Sequence, residues 1–201
     1  LMYGITLSED YKVCICANDT DSLGKFYGTI LMNIAQYSNR RLVFIDDDNG
    51  TFRNIVDECS SCQYISGATA LDEFIEKLKP ELNARLEEPG RQHEQLFIVI
   101  SEFNDFFDMI TNEQAAFIRK VFQYIDAPQY GIYFICGFNV NGAKNNDRLF
   151  MSLVVNAENY ILCPNCYENA SAKIETLPLV PDVKSHSCYF CLKEKNVEIR
   201  W

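Results

Sequence analysis

Apolar residues fall along the chain in two patterns that alternate. Short unbroken apolar runs predict buried β-strands, because a strand that is covered on both faces has no polar side. The predicted strands are Tyr11–Ala17, Arg41–Asp46, Gln63–Gly67, Leu96–Ile100, Tyr130–Gly137 and Asn159–Cys163. Between the runs, apolar residues recur at helical spacing. The predicted helices are Lys25–Gln36, Ala70–Leu86, Thr111–Ile125 and Asp147–Val154.

This alternation predicts an α/β domain with a mainly parallel sheet and helices on both faces. The pattern changes near the C-terminus, where Ser187–Leu192 and Val197–Trp201 flank Lys193–Asn196 and predict a β-hairpin. A chain of 201 residues is long enough for one core. Residues 1–201 are therefore expected to form a single domain.

Charge narrows the range of partners. The formal net charge is −10 at pH 7, and a field of that sign repels phosphate backbones, which disfavours nucleic acid as a ligand.

No apolar stretch approaches the roughly 20 residues that a membrane-spanning helix needs, and no signal-peptide pattern opens the chain. Because the sequence begins at Leu1 rather than at a methionine, we expect a domain of a longer protein.

The segment between the first predicted strand and helix contains a Gly-Lys pair at the place where a phosphate-binding loop carries one. Such a loop needs glycines around the phosphate, a lysine, and a Ser or Thr for magnesium. Here Asp19 replaces the first glycine and Phe26 the hydroxyl, while Asp21 adds further negative charge. The segment comprises Asp19, Thr20, Asp21, Ser22, Leu23, Gly24, Lys25 and Phe26. We interpret it as an eroded nucleotide loop; the alternative is a polar strand–helix turn that never bound phosphate.

A second eroded element supports that interpretation. The apolar strand Leu96–Ile100 ends in Ser101-Glu102, where a nucleotide hydrolase carries two acids that hold magnesium and activate water. Ser101 occupies the place of the metal-associated aspartate, and a hydroxyl cannot supply the charge that orients Mg²⁺. Only Glu102 of the acidic pair remains. We therefore expect no ATP cofactor and no hydrolysis.

The order of these elements resembles the FtsK/SpoIIIE-type ATPases, and most closely the third, C-terminal ATPase-like domain of the EssC coupling ATPases of type VIIb secretion systems. LFIVISEFNDFFD parallels the family's LFVVIDEFADL-type segment, GIYFICGFN parallels its GIHLIxATQ strand, and SCYFCLKEKNVEIRW resembles its closing hairpin. The resemblance spans nearly the whole chain and implies a RecA-like P-loop NTPase fold. The departures at Asp19, Phe26 and Ser101 weaken the implied ATPase activity and leave the implied fold intact.

The resemblance also implies a cellular location and a set of binding partners. It implies a cytoplasmic domain of a membrane-anchored bacterial protein, in contact with the membrane only through the parent chain. The implied partners are secreted helical substrates of type VII systems, neighbouring ATPase domains of the same chain, and other copies of the full-length protein. The leading hypothesis is a binding module that docks substrates or regulates motor domains. The competing hypotheses are an atypical ATPase that works with Lys25 and Glu102, and a zinc-stabilised structural cap of an oligomer.

Nine cysteines without a secretion signal indicate reduced thiols in the cytosol. Two C-x-x-C pairs near the C-terminus suit a tetrahedral zinc site. They are Cys163, Cys166, Cys188 and Cys191. The alternative is that Cys188 and Cys191 lie along a hairpin strand and only pack. A third pair, Cys59 and Cys62, follows a predicted helical stretch beside acids, which argues against a redox role.

The remaining polar residues favour no further chemistry. His93 and His186 lie in predicted loops without a nucleophile beside them, and Asp46-Asp47-Asp48 is interpreted as a solvated acidic turn rather than a metal cluster.

Overall fold

In the part of the chain that the structure describes, eight strands form one sheet in the order β3-β2-β4-β5-β1-β6-β7-β8. The structure is a computed structural model that describes residues 12–88, 91–124, 129–141, 157, 159–171, 174, 177, 187–192 and 195–200. The strands are β1 (Lys12–Ala17), β2 (Arg40–Asp46), β3 (Cys62–Ser66), β4 (Gln95–Ile100), β5 (Ile132–Asn139), β6 (Asn159–Leu162), β7 (Ser187–Leu192) and β8 (Lys195–Arg200). The first six pair in parallel, and β7 and β8 add an antiparallel hairpin at one side. The predicted α/β fold with a terminal hairpin is confirmed.

The helices are α1 (Thr20–Ala35), α2 (Arg53–Asp57), α3 (Ala68–Glu87), α4 (Phe103–Met109), α5 (Asn112–Tyr124) and α6 (Tyr167–Ser171). The predicted helix over Asp147–Val154 lies outside the described residues. Helix α1 begins at Thr20 rather than at Lys25 as predicted, and α4 was not predicted. Both differences fall beside the expected nucleotide site, where they decide its geometry.

Strand alternation explains why helices cover both faces. On β2, Phe44 packs against Tyr27 of α1 with ring centroids 5.2 Å apart. The neighbouring Ile45 lines the opposite layer together with Leu71 of α3 and Ile118 of α5. Successive side chains of a strand point to opposite faces, so each central strand must be apolar at every position. This is the physical reason for the unbroken apolar runs in the sequence.

Polar contacts at the amino edge of the sheet hold α3 in place. Arg85 is 6% exposed, and its guanidinium donates to the carbonyls of Glu94 at 2.9 Å and Tyr130 at 2.7 Å. Glu81 pairs with both Arg85 at 2.7 Å and Arg41 at 2.6 Å.

No helix in the described part of the chain is long and apolar enough to cross a membrane.

Gly137 permits the closest approach in the core. A Cβ at this position would overlap the hydroxyl of Tyr27 and the carbonyl oxygen of Ser101. The tyrosine hydroxyl donates to that same carbonyl, so β5, α1 and the end of β4 meet at one point. Only a residue without a side chain fits there.

Gly137→Ala should therefore lower the free energy of unfolding by about 1–3 kcal/mol, the usual cost of overpacking. Gly28→Ala is the matched control, because its Cβ would lie 3.8 Å from Ile55 in ordinary contact. Alanine inside a helix should raise stability there by about 0.5–1 kcal/mol. Urea denaturation of both variants measures the difference. Equal stability of Gly137→Ala and the wild type would contradict the tight contact.

A second prediction concerns pH. Burial alone would raise the pKa of Glu81, but the hydrogen bond and charge of Arg41, together with Arg85, hold it below its ordinary value. A carboxyl whose folded pKa is lowered stabilises the fold above its unfolded pKa, about 4.3 for glutamate, and that stability is lost as pH falls through the folded value. The stability gap between the wild type and Glu81→Gln should be constant near pH 7 and shrink below about pH 4. A gap that does not change with pH would contradict this.

Candidate functional site

The carboxyl ends of the parallel strands form the candidate site, because ligands of open α/β sheets bind at that edge. Strands β1, β4, β5 and β6 end there in polar segments. The polar residues that follow these strands include Asn18 and Asp19 after β1, Ser101 and Glu102 after β4, Asn141 after β5 and Asn165 after β6.

The helix that follows β1 starts immediately, so no phosphate-binding loop forms. Only Asn18 and Asp19 separate β1 from α1. Asp19 is the N-cap, and its carboxylate accepts the N–H of Ser22 at 2.7 Å. N–H groups at a helix N-terminus are the donors that bind phosphate in other folds. Here the carboxylate of Asp19 binds one of them. The eroded loop and the polar strand–helix turn both stay predictions at this position.

The Gly-Lys pair lies within the helix rather than in a loop. Gly24 is buried, and a Cβ there would come within 3.0 Å of the Ile55 side chain. Lys25 is exposed to solvent, while Phe26 is half-buried and packs on the core. Gly24 therefore serves helix packing, and Phe26 takes an apolar position in which no hydroxyl ligand is available.

The residues at the end of β4 are bound into the protein structure. Ser101 is 2% exposed, and its N–H donates to the Ile45 carbonyl at 2.9 Å. Its own carbonyl accepts the hydroxyl of Tyr27. That tyrosine is fully buried, with Phe44 and Phe52 edge-on to its ring. Ser101 is thus a packing residue beneath the edge of the sheet.

Glu102 is the N-cap of α4. One carboxylate oxygen accepts the N–H groups of Asn104 at 3.1 Å and Asp105 at 3.2 Å. The other accepts the Asn104 side-chain amide at 2.7 Å and the Asn139 N–H at 3.0 Å. Burial raises the pKa of Glu102, although the hydrogen bonds from Asn139 and Asn104 act in the opposite direction. With four donors on its two oxygens, this carboxylate has no free position from which to activate water.

A group of asparagines, which the sequence analysis missed, joins the neighbouring strand ends. The side chain of Asn18 donates to the Asn165 carbonyl at 2.6 Å. That of Asn141 donates to the Asn18 carbonyl at 3.0 Å, and that of Asn169 donates to both Asn18 and Asn141. The available signal was an asparagine just after each of three predicted strands. Strand order along the sheet was needed to show that these strands are neighbours.

The four C-terminal cysteines do not come together as zinc ligands. Cys188 and Cys191 both lie on β7, where side chains alternate, so they project from opposite faces of the sheet. Cys166 donates its thiol proton to the Cys16 carbonyl at 3.2 Å. Within the described ranges, no three His, Cys, Asp or Glu residues are grouped so as to hold a metal ion. The regular strand fits the packing interpretation of Cys188 and Cys191, and the zinc site stays a prediction.

Burial keeps these thiols protonated. It raises the pKa of Cys188 and of Cys191 to about 12, and it raises the pKa of Cys163 further. The same cause raises the pKa of Cys62, in the other pair, to about 12. A thiol that stays protonated is a poor nucleophile.

The acidic turn after β2 is partly buried rather than fully solvated, which corrects the prediction. Asp46 is 0% exposed and accepts the N–H of Phe52 and the hydroxyl of Tyr64, both at 2.8 Å. Asp47 accepts the N–H of Thr51 at 3.0 Å and its hydroxyl at 2.6 Å. Burial raises the pKa of Asp47, but these hydrogen bonds outweigh it and lower the pKa below its ordinary value.

Of the two histidines, His93 is half-buried, and His186 lies outside the described residues.

Solved structures match the whole arrangement. The cytoplasmic domain of EssC superposes with a TM-score of 0.76 at 13% identity, covering 98% of this chain and 40% of that one. EssC ATPases 2 and 3 from Geobacillus thermodenitrificans give a TM-score of 0.74 at 11% identity. The chain has the fold of an EssC ATPase domain. EccC ATPases 2 and 3 from Thermomonospora curvata, solved with a signal sequence peptide, give a TM-score of 0.69 at 16% identity.

The matched solved chains are much longer than this one. Each match covers 98% of this chain but only 37% to 40% of the solved chain. No protein-family model matches the sequence, and no curated protein does. Three-dimensional structure therefore carries the assignment of the fold, while sequence identity is too low to transfer a site.

The hydrogen bonds of Glu102 lead to a prediction of stability. Glu102→Ala removes the acceptor of three backbone N–H groups and should lower the free energy of unfolding by about 1–3 kcal/mol. Glu73→Ala, on the exposed side of α3, should change it by less than about 0.5 kcal/mol. Thermal and urea unfolding compare the two variants. If Glu102→Ala were as stable as the wild type, Glu102 would be free for another role.

Proposed function

We propose that this domain is a nucleotide-independent binding module within an EssC-like ATPase chain of a type VII secretion system. The observation that carries the proposal is the carboxylate of Asp19 on the N-terminus of α1, 2.7 Å from the Ser22 nitrogen. A phosphate at that position would displace a carboxylate that is covalently part of the chain. It would also face the charge of Asp21 in the first turn of the helix.

Electrostatics supports the proposal. Two like charges about 4 Å apart repel by a few kcal/mol at the effective dielectric of a protein surface. The helix dipole, which would attract phosphate, is already compensated by Asp19 and Asp21. Lys25 faces solvent from the second turn of the helix. A triphosphate would therefore find neither a loop of backbone N–H groups around it nor a cation directed toward it.

The competing hypothesis of an atypical ATPase requires Lys25 and Glu102 to do the chemistry. Glu102 would have to release the N-terminus of α4 and the Asn139 N–H before it could orient water. Lys25 would have to reach a phosphate past the Asp19 cap. The third hypothesis, a zinc-stabilised cap, requires Cys188 and Cys191 to bind one ion together, although they project from opposite faces of β7. The binding module is the hypothesis that needs no rearrangement.

The proposed ligand is a secreted helical protein or its signal segment. The support is the EccC structure in this fold, which was solved in complex with a signal sequence peptide. Neighbouring ATPase domains are the proposed second partners, since the matched chains contain more than this domain. We further propose that the parent chain anchors the domain at the cytoplasmic side of a membrane.

Calorimetry with Mg-ATP tests the nucleotide-independent part. The wild type should show no saturable binding at micromolar ATP, and hydrolysis should equal the background rate, because both the phosphate cradle and the magnesium ligands are missing. Asp19→Asn, which removes the charge and keeps a capping side chain, should not create a micromolar site. Micromolar, magnesium-dependent binding that is lost in Lys25→Ala would overturn the proposal and favour the atypical ATPase.

Substrate binding is tested separately. A fluorescently labelled helical secretion substrate should bind the 201-residue chain with the same affinity in the presence and absence of Mg-ATP. Anisotropy titration measures it, with an unrelated cytosolic helical protein as the negative control. Binding that appears only with Mg-ATP, or equal binding of the control protein, would contradict a nucleotide-independent and specific module.

A further inference from the structure

A continuous chain of hydrogen bonds runs across the carboxyl edge of the sheet from α4 to α6. Glu102 accepts the Asn139 N–H at 3.0 Å. The Asn139 side chain accepts the Asn141 N–H at 3.1 Å. The Asn141 side chain donates to the Asn18 carbonyl at 3.0 Å and accepts from Asn169 at 3.1 Å. Asn18 then accepts from Asn169 at 3.2 Å and donates to the Asn165 carbonyl at 2.6 Å.

Apart from the local bond between Asn139 and Asn141, these bonds connect segments that are distant in sequence. Strand order places β4, β5, β1 and β6 side by side. Glu102 follows β4, Asn139 ends β5, Asn18 follows β1, and Asn165 and Asn169 follow β6. The chain of bonds therefore crosses all four strand ends, at the edge where open α/β folds bind their ligands.

The residue type suits this task. A carboxamide offers both a donor and an acceptor. The side chains of Asn18 and Asn141 use both, and the side chain of Asn169 donates twice. Asn139 contributes its backbone N–H and its side-chain oxygen, and Asn165 contributes its backbone carbonyl. None of these groups carries a net charge. Asn165 has a φ of 62°, in the left-handed region that asparagine tolerates better than most residues. This turns its carbonyl toward Asn18.

We propose that these five asparagines, together with Glu102, form a latch that holds the carboxyl edge in one conformation without any ligand. In a ligand-binding α/β fold the bound molecule connects the strand ends, whereas here side-chain amides and backbone groups of the asparagines make the connection. The latch couples α4 to α6, because Glu102 caps the first helix and Asn169 lies in the second. Hydrogen-bonded side-chain chains of this kind act cooperatively.

Hydrogen exchange of the 201-residue chain, without nucleotide, tests the coupling. Asn141→Ala removes two bonds in the middle of the latch. Exchange of the Phe106 N–H in α4 and of the Ala170 N–H in α6 should each become about twofold to tenfold faster, the equilibrium factor of one lost hydrogen bond. These reporters donate to Glu102 and Cys166 within their own helices, so they respond only if the latch connects the two ends.

Asn33→Ala is the matched control. Its amide also makes one side-chain hydrogen bond, to the Thr29 carbonyl at 2.7 Å, but within α1 alone. It should leave Phe106 and Ala170 unchanged. Asn169→Ala, an exposed substitution on α6, cuts the latch from its other end and should accelerate the Asn141 N–H. The double variant should show less than the sum of the two effects, because both variants lose the bond between Asn141 and Asn169.

Faster exchange confined to residues 139–141 in Asn141→Ala, with additive effects in the double variant, would overturn the latch. The experiment contains no nucleotide and no substrate. A failed latch therefore leaves the binding-module proposal standing, and ATP binding would leave the latch result unchanged.

Discussion

The carboxylate of Asp19 at the N-terminus of α1 is the constraint on which the rest of the candidate site depends. A helix start leaves backbone N–H groups without partners, and they attract either an anion or a capping side chain. Once Asp19 accepts the Ser22 N–H, the helix begins four residues ahead of Gly24. The Gly-Lys pair then falls on a helical surface, and Lys25 points to solvent while Gly24 packs on Ile55. One capping hydrogen bond thus accompanies the placement of the Gly-Lys pair within a helix rather than in a loop.

Other residues at the carboxyl edge of the sheet also make their hydrogen bonds to groups of the protein itself. Glu102 accepts N–H groups of α4 and of β5. Ser101 binds Tyr27 through its carbonyl, and Gly137 makes room for that contact. The asparagines connect the remaining strand ends. Residues that could serve chemistry in an open site are satisfied here by the protein itself, which is the common physical basis of the binding-module and latch proposals.

The cysteines show how secondary structure overrides a motif. In a metal knuckle, a tight turn brings both thiols of a C-x-x-C pair to one side. Cys188 and Cys191 lie instead on a regular strand with an antiparallel partner on each side. The pleat then separates the two thiols across the sheet, and burial raises their pKa values. High cysteine content in this domain therefore reflects small apolar core residues, as it does for Cys14 and Cys16 on β1.

By itself, the sequence determined the α/β class, five of the parallel strands closely and the terminal hairpin, because burial on both faces forces unbroken apolar runs such as Leu96–Ile100. It also led to the prediction that Asp19, Phe26 and Ser101 disfavour Mg-ATP, since charge and ligand type are properties of single residues. Only the tertiary structure decided where α1 begins, that Glu102 is a cap and that Cys188 and Cys191 diverge. It alone placed Asn18, Asn141 and Asn169 together, because their contact depends on β5, β1 and β6 being neighbours in the sheet. The chemistry of a side chain limits which kinds of group it can bind. Which group it does bind depends on strand order and on the backbone groups that compete for its hydrogen bonds.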